Sequence, residues 1–187
     1  MYSTVMTSML CGIRAIPVQV EVDISTGLPA FEMVGYLSSE VREAKERVRT
    51  ALHNCGVSLP AKRITINLSP GNVRKTGTGF DLPIAVALLS AIGVLDEMCS
   101  RQKVFVGELN LSGQLLPVNG ILPVVSDGCR DGVHTDFIIP MDNLAEGELV
   151  RDASVYGFSS LEAVIAYLRG GAYEKPALTM LSAESVS

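Results

Sequence analysis

The chain has 187 residues, of which 48% are hydrophobic, with 15 Lys and Arg against 20 Asp and Glu and a formal net charge of −5. That length suits one domain with one sizeable core, and the negative sum opposes non-specific nucleic-acid binding by the chain as a whole. Its apolar runs, residues 18–24 and 82–89, fall far short of the roughly 20 residues that cross a bilayer. The N-terminus lacks a basic region before an apolar stretch, so no secretion signal is expected and the cytoplasm is the expected location.

Residues 6–9 and 13–24 read as two strands turning at Cys11-Gly12, the second alternating apolar and polar side chains. Residues 30–34 form a third strand. Ser38 or Ser39 caps a helix that runs to about Asn54 and stops at Gly56, with Glu40 and Glu43 favourably placed in its first turns. Val41, Ala44, Val48, Ala51 and Leu52 recur at helical spacing as its buried stripe. Arg42, Lys45 and Arg49 share a neighbouring face, while Glu43 with Arg47 and Arg42 with Glu46 are spaced for i,i+4 ion pairs on a solvated helix.

Residues 63–68 are the next strand, with Lys62 and Arg63 at its start. The segment Arg74-Lys75-Thr76-Gly77-Thr78-Gly79-Phe80-Asp81 then runs into an apolar helix over residues 80–92. Gly77 and Gly79 allow backbone N–H groups to approach a ligand, and a following helix N-terminus favours an anion. The spacing nevertheless fits neither the phosphate loop G-x-x-x-x-G-K-[ST] nor the dinucleotide fingerprint G-x-G-x-x-G. A tight strand-to-helix turn is the competing interpretation. Asp81 is expected to cap the helix or pair with a basic neighbour.

Residues 104–109 and 115–118 suggest a hairpin about Ser112-Gly113. Residues 120–130 read as a helix with Pro123 in its first turn. Short strands at 137–139 and 154–156 are each followed by a helix, at 143–150 and 161–168. Hairpins and crossovers together predict an α/β fold with a mixed sheet. Periodicity ends after Gly170-Gly171, and residues 170–187 are expected to be a linker or disordered tail.

Cys11, Cys55, Cys99 and Cys129 form no C-x-x-C pair, and with only His53 and His134 the spacing of a zinc site is missing. Reduced, partly buried thiols are expected. Cys55 beside His53 is the only local hint of a reactive thiol.

The blocks Glu43-Ala44-Lys45-Glu46-Arg47-Val48-Arg49, Arg63-Ile64-Thr65-Ile66-Asn67-Leu68-Ser69-Pro70 and Gly79-Phe80-Asp81-Leu82-Pro83-Ile84-Ala85, continued by Gly107-Glu108-Leu109, Gly120-Ile121-Leu122-Pro123 and Ile139-Pro140, resemble the N-terminal domain of the magnesium-chelatase-like AAA+ ATPases, the ComM/YifB family. The resemblance covers roughly residues 1–169. It implies a Lon-protease-like fold of the ribosomal S5 domain 2 type, similar also to the C-terminal domain of RadA. Lon-type proteases pair a serine in a K-D-G-P-S-A-G loop with a lysine after a P-x-G-G turn. Those positions fall here on Gly79 and Leu122, and no lysine lies between Lys103 and Lys175 to serve Thr78 instead. A catalytically silent domain is expected. The resemblance further implies an attached AAA+ module that uses ATP and magnesium, since no Walker A motif occurs in these 187 residues, and no cofactor is expected in the chain itself. It implies a homo-oligomeric ring, with a hexamer expected, that handles DNA in recombination and natural transformation. On that basis Arg74 and Lys75, then Arg42, Lys45 and Arg49, are the candidate DNA contacts, and Gly77, Gly79 and Asp81 shape the loop. A protein-interaction and oligomerisation domain without DNA contact stands as the alternative.

Overall fold

The computed structural model describes residues 1–176. The chain opens with a long hairpin, β1 (Tyr2–Cys11) and β2 (Arg14–Ser25), paired antiparallel over its whole length from Tyr2 opposite Asp23 to Cys11 opposite Arg14. Strand β3 (Ala30–Val34) follows, then helices α1 (Ser39–Arg42) and α2 (Ala44–Asn54), which lead into β4 (Arg63–Ser69). The predicted helix is therefore broken at Glu43, and Ser38 caps its first piece by accepting the Val41 N–H at 3.3 Å. Of the two predicted i,i+4 pairs, Glu43 with Arg47 forms at 3.7 Å. Arg42 and Glu46 do not pair, and both stay exposed.

Helix α3 (Asp81–Ala91) is buried at every position except Ser90. A helix apolar on all sides must lie inside. It packs on the side of the sheet where β1 turns Ser3, Val5, Thr7 and Met9, β2 turns Val18, Val20, Val22 and Ile24, and β4 turns Ile64, Ile66 and Leu68. The Ser3 hydroxyl donates to the Ala87 carbonyl at 2.5 Å, which ties β1 to α3.

The second half adds β5 (Lys103–Phe105), the small ribbon β6 (Glu108–Leu109) and β7 (Leu115–Leu116), helix α4 (Ile121–Gly128), β8 (Asp136–Pro140), α5 (Leu144–Gly147), β9 (Ser154–Phe158) and α6 (Leu161–Leu168). The main sheet has seven strands in the order β3-β4-β2-β1-β5-β8-β9. Pairing is antiparallel around β2 and parallel elsewhere. This is the mixed α/β sheet expected. Alternation along β5 and β8 splits the core in two. Phe105 and Ile138 join α2, α3 and α6, whereas Val104, Val106, Phe137 and Ile139 meet Ile121, Val124 and Val125 of α4 on the other face.

Two expected elements differ. The strand predicted over residues 104–109 leaves the main sheet after Phe105, because the Gly107 N–H donates to the Gly79 carbonyl and the chain turns to form β6. The helix predicted over residues 143–150 shrinks to one turn, and a Cβ on Gly147 would come within 2.9 Å of Val155. Tyr173 lies in the segment expected to be a linker, yet it accepts the Gly157 N–H at 3.0 Å and packs edge-on against Tyr156, Phe158 and Tyr167, covering edge strand β9. Residues 177–187 of that segment lie outside the described residues.

Candidate functional site: a clamped glycine loop and a basic groove

The glycine loop closes on its own protein. Residues 35–38 run beside it, with the Lys75 N–H donating to the Tyr36 carbonyl at 2.8 Å and the Ser38 N–H to the Lys75 carbonyl at 3.0 Å. Gly77 takes φ +90, a conformation that glycine adopts without strain, and its N–H donates to Glu40 Oε1 at 2.6 Å. The anion that this turn is built to accept is thus a carboxylate of α1. Gly79 serves close packing, since a Cβ there would lie 2.9 Å from Val106 Cγ1. A cleft of about 380 Å³ remains between the loop, Leu10 at the end of β1 and the turn at Val118-Asn119.

Asp81, at the start of α3, accepts no bond from its own helix. Its carboxylate is fully buried and held bidentately, by Arg47 Nε at 2.8 Å and Arg47 Nη2 at 3.1 Å, while the Leu109 N–H donates to Oδ2 at 3.0 Å. Burial pushes this carboxyl up to about 6 against the pull of Arg47 and Leu109, so it is ionised at neutral pH. Arg47 also reaches Glu43 at 3.7 Å and the Glu40 carbonyl at 3.4 Å. One guanidinium therefore joins α1, α2 and α3, and β6 through Asp81. The sequence pattern assigned Arg47 only its pair with Glu43; the missed signal is Asp81 itself, a charge opening a wholly apolar helix, which needs a buried partner.

The five basic candidates do not share one site. Lys75 is fully buried, its ammonium donates to the Pro70 carbonyl, and burial lowers its pKa below the usual lysine value. It is not presented to a phosphate, because the pairing that fixes the loop beside Tyr36 turns this side chain inward. Arg74, the residue before it, is exposed. Arg42 and Arg49 are exposed on α1 and α2, and Lys45 is half-buried between them. Arg49 lines a separate groove of about 710 Å³ between α2, the start of β3 and residues 57–62, where His53 and Lys62 join it.

The cysteines make no disulfide. Burial raises the Cys55 thiol above its ordinary value, with Glu162 adding to the effect, so His53 next to it in sequence does not activate it.

Residues 20–143 match the family described as subunit ChlI of Mg-chelatase. The chain belongs to this magnesium-chelatase-like family. It is 41% identical over 159 residues to competence protein ComM of Haemophilus influenzae, covering 85% of this chain and 31% of ComM. It is also 41% identical over 175 residues to uncharacterized protein YifB of Escherichia coli, covering 93% and 34%. Lower similarity reaches Lon protease 1 of Bacillus subtilis, 29% over 131 residues with 66% and 16% covered, and DNA repair protein RadA of Streptococcus pneumoniae, 30% over 97 residues with 52% and 22% covered. The mixed sheet with packed helices, together with the likeness to Lon, makes this a Lon-like α/β fold. This chain spans about a third of the length of ComM and YifB.

The loop amide is occupied by Glu40, the loop lysine is buried, and no group of three or more His, Cys, Asp or Glu among the described residues could hold a metal ion. No helix among them is long and apolar enough to cross a membrane.

Proposed function

We propose that this chain is a non-proteolytic, Lon-like domain of a ComM-like AAA+ ATPase, acting in the cytoplasm to support ring assembly and to guide DNA during recombination. ATP and magnesium would belong to the attached AAA+ module. The observation that carries the DNA role is the groove beside α2, lined by Arg49, His53 and Lys62 and by no Asp or Glu, with Arg42 exposed on α1 and Lys45 half-buried on α2. Support comes from the similarity to a DNA repair protein. Arg74 is a further contact; the buried Lys75 acts instead in shaping the loop. In a ring, each subunit adds a few phosphate contacts, so weak individual attraction sums. Support for a non-proteolytic role comes from Gly79 and Leu122 at the positions that the Lon resemblance gives to serine and lysine, with Val106 filling the space a serine Cβ needs.

A protein-interaction platform without DNA contact is the second reading. Edge strand β3 favours it, with Leu28, Val34 and Tyr36 exposed around it. Fluorescence anisotropy with single-stranded, duplex and forked DNA at about 50 and 200 mM salt, on samples sized by light scattering, separates the two. The DNA-guiding role predicts salt-sensitive binding by a multimer, lost in Arg42→Ala with Lys45→Ala while assembly persists. A multimer that binds no DNA makes the domain an assembly platform.

A further inference from the structure

The groove beside α2 differs from the rest of the molecule in charge. Although acidic residues outnumber basic ones 20 to 15 in the chain, Arg49, His53 and Lys62 line this groove and no Asp or Glu does. Among the described residues none of these three takes part in an ion pair. Arg49 and Lys62, left without counter-charge around a concave surface, favour an anion. Phe31, Val57 and Leu59 supply apolar wall between them, beside the hydroxyls of Thr50 and Ser58, so a ligand with a flat or apolar body beside its charge fits the groove. Arg49 lies over the Phe31 ring, its guanidinium carbon 4.8 Å from the ring centre, a cation–π contact at the wall of the groove.

We propose that this groove receives one nucleotide of single-stranded DNA. The base lies against the apolar lining and the guanidinium plane of Arg49, and Lys62 and His53 hold the adjacent phosphate. The inference rests on the DNA-guiding role proposed above and narrows it to a strand with unstacked bases. Arginine planes and apolar walls accept any base face, whereas a base inside a duplex is stacked on both sides and cannot enter. The groove, at about 710 Å³, lies within the size range of small-ligand sites, roughly 300–1,000 Å³.

Ser58→Glu tests the site with little risk to folding, because Ser58 is exposed at the groove and the change supplies the carboxylate that the lining lacks. Anisotropy with a labelled oligo-dT and a duplex of equal length reads the effect, and thermal melting confirms the fold of each variant. Ser58→Glu and Arg49→Ala should each weaken oligo-dT binding about tenfold while duplex binding changes less than about twofold. A 5-iododeoxyuridine oligonucleotide should photo-crosslink to peptides that carry Phe31 or His53. Arg42→Ala with Lys45→Ala, outside the groove, should weaken both DNA forms together. If that pair weakens both forms but Ser58→Glu weakens neither, or the crosslinks fall elsewhere, the nucleotide site is overturned and the DNA-guiding role survives. If poly-glutamate displaces oligo-dT as well as unlabelled oligo-dT does, the groove is a site for an acidic peptide and the assignment is likewise overturned. If the wild-type chain binds neither DNA form, the DNA-guiding role itself fails, and this inference fails with it.

Discussion

The glycine loop and the groove beside α2 are both concave and both carry charged side chains, and they are finished in opposite ways. At the loop, three polar groups have internal partners: Gly77 N–H has Glu40, Lys75 has Pro70, and Asp81 has Arg47 and Leu109, while Arg74 stays exposed. In the groove, Arg49 has only the face of Phe31, and Lys62 and His53 make no ion pair among the described residues. Satisfied polar groups stabilise a fold, while unsatisfied exposed ones cost the fold little and are free for a ligand. Loop substitutions should therefore act on stability and groove substitutions on binding.

The strongest test of that division is Arg47→Ala. It leaves the buried Asp81 carboxylate with one backbone donor, and the expected loss of unfolding free energy is about 3 kcal/mol by urea denaturation. A loss below about 0.5 kcal/mol, the range of ordinary surface changes, would mean that the loop is not held by this pair. Gly79→Ser ranks next. The added side chain must displace Val106, for an expected cost of about 1–3 kcal/mol, and Val106→Ala in the same chain should recover part of it. Incubation of Gly79→Ser with a casein substrate should yield no cleavage, since Leu122 still occupies the lysine position of the resemblance.

Protonation provides a subtler probe. The Asp81 carboxyl titrates near 6 in the fold and at its ordinary value of 3.8 once unfolded. Between those values the folded state binds the extra proton, so this group's contribution to stability grows as pH falls through 6 and diminishes as pH rises. Comparing wild type with Asp81→Asn at about pH 7 and 5 should show the wild type gaining about 1 kcal/mol relative to the variant at the lower pH. The opposite sign would mean that Arg47 outweighs burial at this carboxyl. Smallest of all, Arg49→Ala should cost the fold only about 0.5 kcal/mol, the worth of an exposed cation–π contact, despite its effect on oligo-dT. A stability loss as large as that of Arg47→Ala would make Arg49 structural and erase the contrast between the two regions.

Local patterns carried much of this architecture. The alternation in β2, the helical stripe from Val41 to Leu52 and the apolar run of α3 each report which face is buried, because burial acts through periods of about two and 3.6 residues. Motif spacing around Gly77 and Gly79 argued against a phosphate loop. Contacts across long sequence separations were not readable in that way. Nothing near Lys75 indicates that pairing with Tyr36 and Ser38 turns its side chain inward, nothing near Asp81 names Arg47, 34 positions earlier, and nothing in residues 57–62 announces a groove shared with Phe31 and Arg49. The sequence by itself determined most of the elements, their buried faces and the family. Which charges are satisfied inside and which remain open to a ligand was decided only by the tertiary structure, because a charge's partner is set by the packing of distant elements and has no period along the chain.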